Sequence, residues 1–193
     1  PEAGTQRLRD VINKGVTEED LMRSVSDAFS QGWSAVKLYF MIGLPTETLD
    51  DVRGIAALGQ TVVDAYYNNP DHPRTAPSVG ISAAAFVPKP FTPFQWEPQD
   101  TIEQFEEKQK HLCQIMHIKG VEFNWHTPQV SFLEACFARG DRKMADVLEA
   151  AWRLGCRFDG WTDQFSFENW MKAFEQCGVD PAFYANRRRE KGE

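Results

Sequence analysis

The stretch KLYFMIGLPTET, Lys37–Thr48, decides the fold. Val36–Ile42 is apolar apart from Lys37 and rich in β-formers, which predicts a strand, and such a continuous run suits a parallel strand covered on both faces. It stops at Gly43-Leu44-Pro45, and Thr48 with Asp51 three residues on supplies the side chains that open a helix. That helix carries Val52, Ile55, Gly59, Val62 and Tyr66 at helical spacing. A strand, a short Gly-Pro turn and a helix form the half-unit of a parallel sheet, and ligands of such sheets sit at the carboxyl ends of the strands.

Working outward, the same grammar repeats. Upstream, Leu8, Val11 and Ile12 predict a short helix ending at Gly15, a natural left-handed cap. Thr17 and Asp20 open a second helix whose core face is Leu21, Val25, Ala28 and Phe29 and whose end is Gly32. Downstream, Pro70, Pro73 and Pro77 mark Asn68–Ser78 as a loop, and Val79–Val87 is the next strand. A helix over Thr101–Ile118 leads to a last strand, Val121–Trp125. Beyond His126 the pattern is helical only, over Ser131–Arg139, Arg142–Leu154, Ser166–Cys177 and Pro181–Arg189. The expected class is therefore α/β with parallel strands in residues 1–126, followed by an all-helical extension in residues 127–193.

Composition narrows the function. The 193 residues are 42% hydrophobic and 25% charged, with 14 Phe and 6 Trp, the profile of a folded globular chain. A formal net charge of −7 argues against general binding to nucleic acid or anionic lipid. The longest apolar runs are strand-sized, so none predicts a membrane span. The chain opens without Met and without a signal sequence, and is expected to be a piece of a longer polypeptide working in the cytoplasm. Cys113, Cys136, Cys156 and Cys177 show no C-x-x-C spacing and are expected to be core thiols in a reducing compartment, with no metal site among them.

Three segments, PEAGTQRLRDVINKGVTEED, VKLYFMIGLPTETLDDV and FVPKPFTPFQW, resemble consecutive parts of the radical S-adenosylmethionine superfamily. The resemblance runs on through WHTPQVSFLEACFARGDRK and FDGWTDQFSFENW and covers nearly the whole chain. It is nearest to an uncharacterised bacterial branch, with methylthiotransferases and the anaerobic coproporphyrinogen oxidase type as neighbours. It implies the second half of a partial (β/α)6 TIM-like barrel plus a helical extension. It also implies two cofactors, S-adenosylmethionine and a [4Fe-4S] cluster whose C-x-x-x-C-x-x-C loop would lie upstream of Pro1, in the first half of the same polypeptide.

The resemblance also assigns residues. Glu2, at the end of the strand preceding the short helix, would hydrogen-bond the cofactor at its ribose, and Lys14 would pair with its methionine carboxylate. Tyr39 stands where the family often has Asp or Thr. Lys37 shares a face with Tyr39 by strand alternation. Gly43 and Val87 emerge at the carboxyl rim, where Phe86 and Val87 would approach the adenine through main-chain groups; Phe91, Phe94 and Trp96 would roof the site. Lys14 before Gly15 is equally what a helix C-terminus favours. No catalytic residue and no substrate follow from the sequence, and an RNA substrate stays open. The competing reading is a non-catalytic α/β module that binds a protein or RNA partner through the helical extension and the basic tail Arg187-Arg188-Arg189.

Overall fold

The structure is a computed structural model and describes residues 1–190. It contains, among those residues, helices α1 (Gln6–Val11), α2 (Glu18–Ser30), α3 (Leu49–Asn68), α4 (Ile102–Ile115), α5 (Pro128–Ala138), α6 (Lys143–Arg153), α7 (Phe167–Gln176) and α8 (Pro181–Ala185), and strands β1 (Ala35–Ile42), β2 (Ser78–Ala85) and β3 (Val121–Trp125). The chain divides into two compact units, one of Pro1–Phe86 with Glu103–His126, the other of Val87–Ile102 with the chain from Thr127 on. The segment after β2, which the sequence division placed with the sheet, thus packs with the helices.

In the first unit β1, β2 and β3 lie side by side in chain order and all parallel. Ala35 faces Ser78, and Ile42 faces Ala85, so the first two strands are in register over their whole length. One face of this sheet carries Leu38, Phe40, Ile42, Val79, Ile81 and Ala83, and these join Val25 and Phe29 of α2, Val52, Ile55 and Val62 of α3, and Phe105 and Leu112 of α4 in one core. Helices α2, α3 and α4 lie on that face. The other face bears Lys37, Tyr39, Gly80, Ser82, Glu122 and Asn124, and Tyr39 is 57% exposed. The expectation of a strand covered on both faces is therefore corrected. Tyr39 and Met41 made β1 look uniformly apolar, whereas β2 and β3 show the alternation openly, with small or polar residues at every second position.

The caps follow the sequence. Thr17 with Asp20 and Thr48 with Asp51 both form complete capping boxes. The end of α1 differs: the left-handed residue is Asn13 (φ 53°), not Gly15, and asparagine is one of the few side chains that tolerates that conformation.

The second unit has its own core, built from Phe132, Cys136, Met144, Val147, Ala151, Trp170, Phe174 and Tyr184 on α5 to α8, with Val87 and Ile102 packed against it. Gly155 (φ 94°) and Gly178 (φ 61°) turn the chain between its helices. The last helix stops at Ala185 rather than Arg189. The Asn186 N–H still donates to the Ala182 carbonyl at 2.9 Å, and its side-chain amide donates to the carbonyls of Gln99 and Asp100, at 3.0 and 3.1 Å.

Candidate functional site

The carboxyl end of β1 is where the predicted residues gather, and the turn there is held by charge. Gly43 takes φ 81° and its N–H donates to a Glu47 carboxylate oxygen at 2.8 Å. The same oxygen accepts from Lys108 of α4 at 2.6 Å, with the Glu47 side chain only 2% exposed. The Gly43 amide is thus spent on shaping the turn, and as a ligand contact Gly43 retains only its carbonyl.

Glu2 adds a further parallel strand position on the other side of β1. Its N–H donates to the Tyr39 carbonyl at 3.0 Å, and its carbonyl accepts from the Met41 N–H at 2.8 Å. Its backbone has φ 71°, an uncommon conformation for a non-glycine residue and costly unless the surroundings enforce it. The surroundings do so through Gly4 and Gly54. A Cβ on Gly4 would come within 2.2 Å of the Asp51 carbonyl oxygen, and one on Gly54 within 2.6 Å of the Gly4 carbonyl oxygen. Main chain there touches main chain, and no side chain fits between.

Asp51 locks the same junction. Its carboxylate accepts from the Thr48 N–H and hydroxyl at 2.8 and 2.7 Å, and also from Thr5 and from Arg7. Arg7 reaches on to the Thr46 carbonyl at 2.9 Å. Burial disfavours the charged carboxylate, but the hydrogen bonds from Arg7, Thr5 and Thr48 outweigh it and hold the carboxyl down at about 2. One acid thereby fixes the start of α1, the start of α3 and the Leu44–Thr48 turn together.

Within that frame Lys14 meets Glu2, Nζ to Oε1, at 3.2 Å, the two side chains 42% and 34% exposed. Lys14 is placed by its own N–H, which donates to the Arg9 carbonyl at 2.8 Å. Arg9, 1% exposed, donates in turn to the Ala3 carbonyl at 2.9 Å. So Glu2 and Lys14 come together through their side chains, while Glu2 meets Tyr39 through main chain alone. Lys37 does not join them. Its ammonium lies 5.4 Å from the Tyr39 ring centroid, and the residue lines a hollow of about 380 Å³ with Ser78, Gly80, Glu122 and Asn124 at the amino end of the strands. Six residues of strand separate Lys37 from Gly43, roughly 20 Å. Val87 has its side chain packed on the helical core, leaving main chain as its only offer.

Sequence reasoning missed Asp51 as a hub, Arg7, Arg9 and the Glu47–Lys108 pair. The T-x-x-D spacing announced Asp51 as a cap and nothing more; no local signal links Lys108 to a residue 61 positions earlier. Of the thiols, Cys136 and Cys156 are buried, and burial raises both, Cys136 to about 12. Among the described residues no three His, Cys, Asp or Glu side chains converge as a metal site, and no helix is long and apolar enough to cross a membrane. The basic tail is also rearranged: Arg188 pairs with Glu97, while Arg139 donates to the Ala185 and Arg187 carbonyls, so Arg187-Arg188-Arg189 is a packed strap rather than the last turn of a helix.

The chain is 30% identical over 179 residues to an uncharacterized protein of Methanocaldococcus jannaschii, an alignment covering 93% of this chain and 38% of that protein. The chain thus spans well under half the length of that curated relative. No protein-family model and no solved structure matches it.

Proposed function

We propose that the chain is the second half of the catalytic barrel of a radical S-adenosylmethionine enzyme, together with a helical extension, and that it contributes cofactor and substrate binding. The observation that carries this reading is the meeting of Glu2 and Lys14. The resemblance assigned both to the cofactor, and their side chains stand 3.2 Å apart, Glu2 being the residue that bridges to β1 in parallel. A sheet wound in one direction, with helices α2, α3 and α4 on one face, is also what a barrel sector requires, the other face being its inside.

The residues present fit such a ligand. Lys14 has three ammonium donors, and Glu2 takes one, leaving a partly exposed cation able to receive a second carboxylate. Glu2 keeps an oxygen for a sugar hydroxyl, and the left-handed backbone fixes where it points. Gly80, Ser82 and Ala84 on the open face of β2 leave room beside Tyr39 and Met41 for a substrate. When bound to its upstream cluster, the cofactor would supply a 5′-deoxyadenosyl radical; this chain's part is to orient it and exclude water.

Lys14→Ala tests the reading in the longer polypeptide with its cluster assembled. Calorimetry should show S-adenosylmethionine binding weakened at least tenfold, about 1.4 kcal/mol. Melting should hardly change, since a half-exposed ion pair contributes less than about 1 kcal/mol. Glu2→Ala should weaken binding less, one or two hydrogen bonds being at stake. Unchanged affinity with a lowered melting temperature for Lys14→Ala would assign the residue to capping α1 and defeat the proposal.

A further inference from the structure

Arg139 and Arg189 of the second unit bond to main-chain carbonyls, and neither forms an ion pair among the described residues. Arg139 caps α5 and is 5% exposed. Its Nη1 and Nη2 donate to the carbonyls of Ala185 and Arg187, both at 2.7 Å, and its Nε is buried without a partner. Arg189 lies against it, donating to the Arg139 carbonyl, and its Nε is likewise buried and unpartnered. Three carboxylates of this unit are engaged elsewhere. Glu134 pairs with Lys89, Glu97 pairs with Arg188, and Asp141 accepts from the Lys143 N–H at 2.9 Å and the Tyr184 hydroxyl at 3.0 Å. Asp141 feels the Arg189 charge but forms no ion pair with it. Burial, then repulsion from Arg189 and Arg187, pulls the Arg139 guanidinium down to about 10. A buried cation with no counter-charge is an expensive arrangement, and proteins ordinarily pair it.

Beside these two arginines is a hollow of about 390 Å³, in the range of small-molecule sites. It is lined by Phe91, Gln95, Trp96, Arg139, Gly140 and Arg189. Phe91 is 96% exposed and held at φ 63°, its N–H bonded to the Gln95 side chain at 3.1 Å. The Arg189 N–H donates to the Trp96 carbonyl at 2.9 Å, which fixes the strap along the edge of the hollow. Aromatic and cationic side chains thus line one hollow, on a chain whose net charge of −7 otherwise repels anions.

We propose that this hollow binds a phosphate monoester carrying a flat apolar group, with Arg139 and Arg189 toward the phosphate and Phe91 and Trp96 against the ring. Two adjacent guanidiniums call for a dianion rather than a single carboxylate, and guanidinium forks match phosphate oxygens in pairs. The exposed ring of Phe91 is then a clamp, covered when the ligand is present. This inference stands apart from the cofactor reading, since none of its residues belongs to the Glu2–Lys14 site.

Calorimetric titration of the whole chain with phenyl phosphate, inorganic phosphate and benzoate tests it. Phenyl phosphate should bind about tenfold more tightly than either of the others. Arg189→Gln should weaken phenyl phosphate at least tenfold, whereas Arg188→Gln, one residue away but paired with Glu97, should change it less than twofold. Arg139→Gln would also cut two main-chain ties, so Arg189 carries the test. Trp96→Ala should remove the preference for phenyl over inorganic phosphate and leave inorganic phosphate binding in place. Absence of phosphate binding, or equal weakening by Arg188→Gln and Arg189→Gln, overturns the site. Equal affinity for the two phosphates overturns its aromatic half, and benzoate binding as well as phenyl phosphate overturns the dianion assignment.

Discussion

Each unit buries one arginine against main-chain carbonyls, and the two are balanced differently. Arg9 in the sheet unit is 1% exposed and donates to the Ala3 carbonyl; burial lowers its pKa, but Glu18 and Asp10 act to raise it. Arg139 in the helical unit is 5% exposed and donates to two carbonyls; burial lowers its pKa and Arg189 and Arg187 lower it further. Carbonyls satisfy hydrogen bonds but supply no net charge. The sheet unit closes its own electrostatics, as its Arg7–Asp51 and Lys108–Glu47 pairs also show. In the helical unit Arg139 and Arg189 form no ion pair among the described residues, and such a charge at the wall of a hollow is a place for something from outside.

The largest effect that would break the closed side of this comparison is steric. Gly54→Ala sets a Cβ 2.6 Å from the Gly4 carbonyl oxygen, and main chain on both sides prevents relief. Alanine's helix propensity returns up to about 1 kcal/mol, yet overpacking of this kind should leave a net loss of about 2–3 kcal/mol in urea unfolding. Gly160→Ala, with nothing within 4 Å of the new methyl group, should be near neutral. Equal stability of the two variants would show that Glu2 is not clamped in place, and its left-handed backbone would lose its explanation.

Next in size is Asp51→Asn, which sharpens the electrostatic side. The folded carboxyl titrates at about 2, below the ordinary value of 3.8, so its ionised form stabilises the fold above about pH 4 and that stability is lost as pH falls toward 2. Its removal should cost about 2–3 kcal/mol at neutral pH, and the stability of the variant should be flatter between pH 4 and 2. Arg139 runs the opposite way. Its folded pKa of about 10 lies below the ordinary 12.5, so its burial opposes folding at every pH below about 10 and is relieved only as pH rises beyond that. At neutral pH, an anion is what could relieve it. A pH profile for Asp51→Asn that parallels the unsubstituted chain would mean that the hub is held by Arg7 and Thr5 without help from charge.

The sheet unit was more legible than the helical one for reasons these residues make plain. Thr17–Asp20 and Thr48–Asp51 are local patterns, and both boxes formed. Parallel pairing of β1 and β2 followed from a helix lying between two strands. The open face was hidden because Tyr39 and Met41 are apolar types, so their exposure has no signature in β1 alone. In the helical unit the deciding contacts are remote: Arg139 to Ala185 spans 46 positions and Arg188 to Glu97 spans 91. The expected helix ran through all three arginines because composition cannot say which of three neighbours turns inward. Of the proposed cofactor residues, Glu2 and Lys14 lie 3.2 Å apart, Lys37 lies at the amino end of the strands, and the Gly43 N–H is bonded to Glu47.

The smallest effect concerns that choice among neighbours. Arg188 and Arg189 are adjacent in sequence, yet Arg188 is 64% exposed and forms a two-point pair with Glu97, one bond of 2.9 Å, whereas the Arg189 guanidinium lies on Arg139. Exposed pairs contribute at most about 1 kcal/mol because water and salt compete for both partners and two long side chains must be ordered. Arg188→Gln should therefore lower stability by less than about 1 kcal/mol in low salt, and the difference should vanish as salt is raised. The strap would stay in place through the Arg139 bonds to the Ala185 and Arg187 carbonyls and the Arg189 N–H to Trp96. A larger loss that persists in high salt would mean that Glu97 holds the strap. Arg139 would then be buried as a consequence of the strap's position, and its contrast with Arg9 would no longer point to an absent anion.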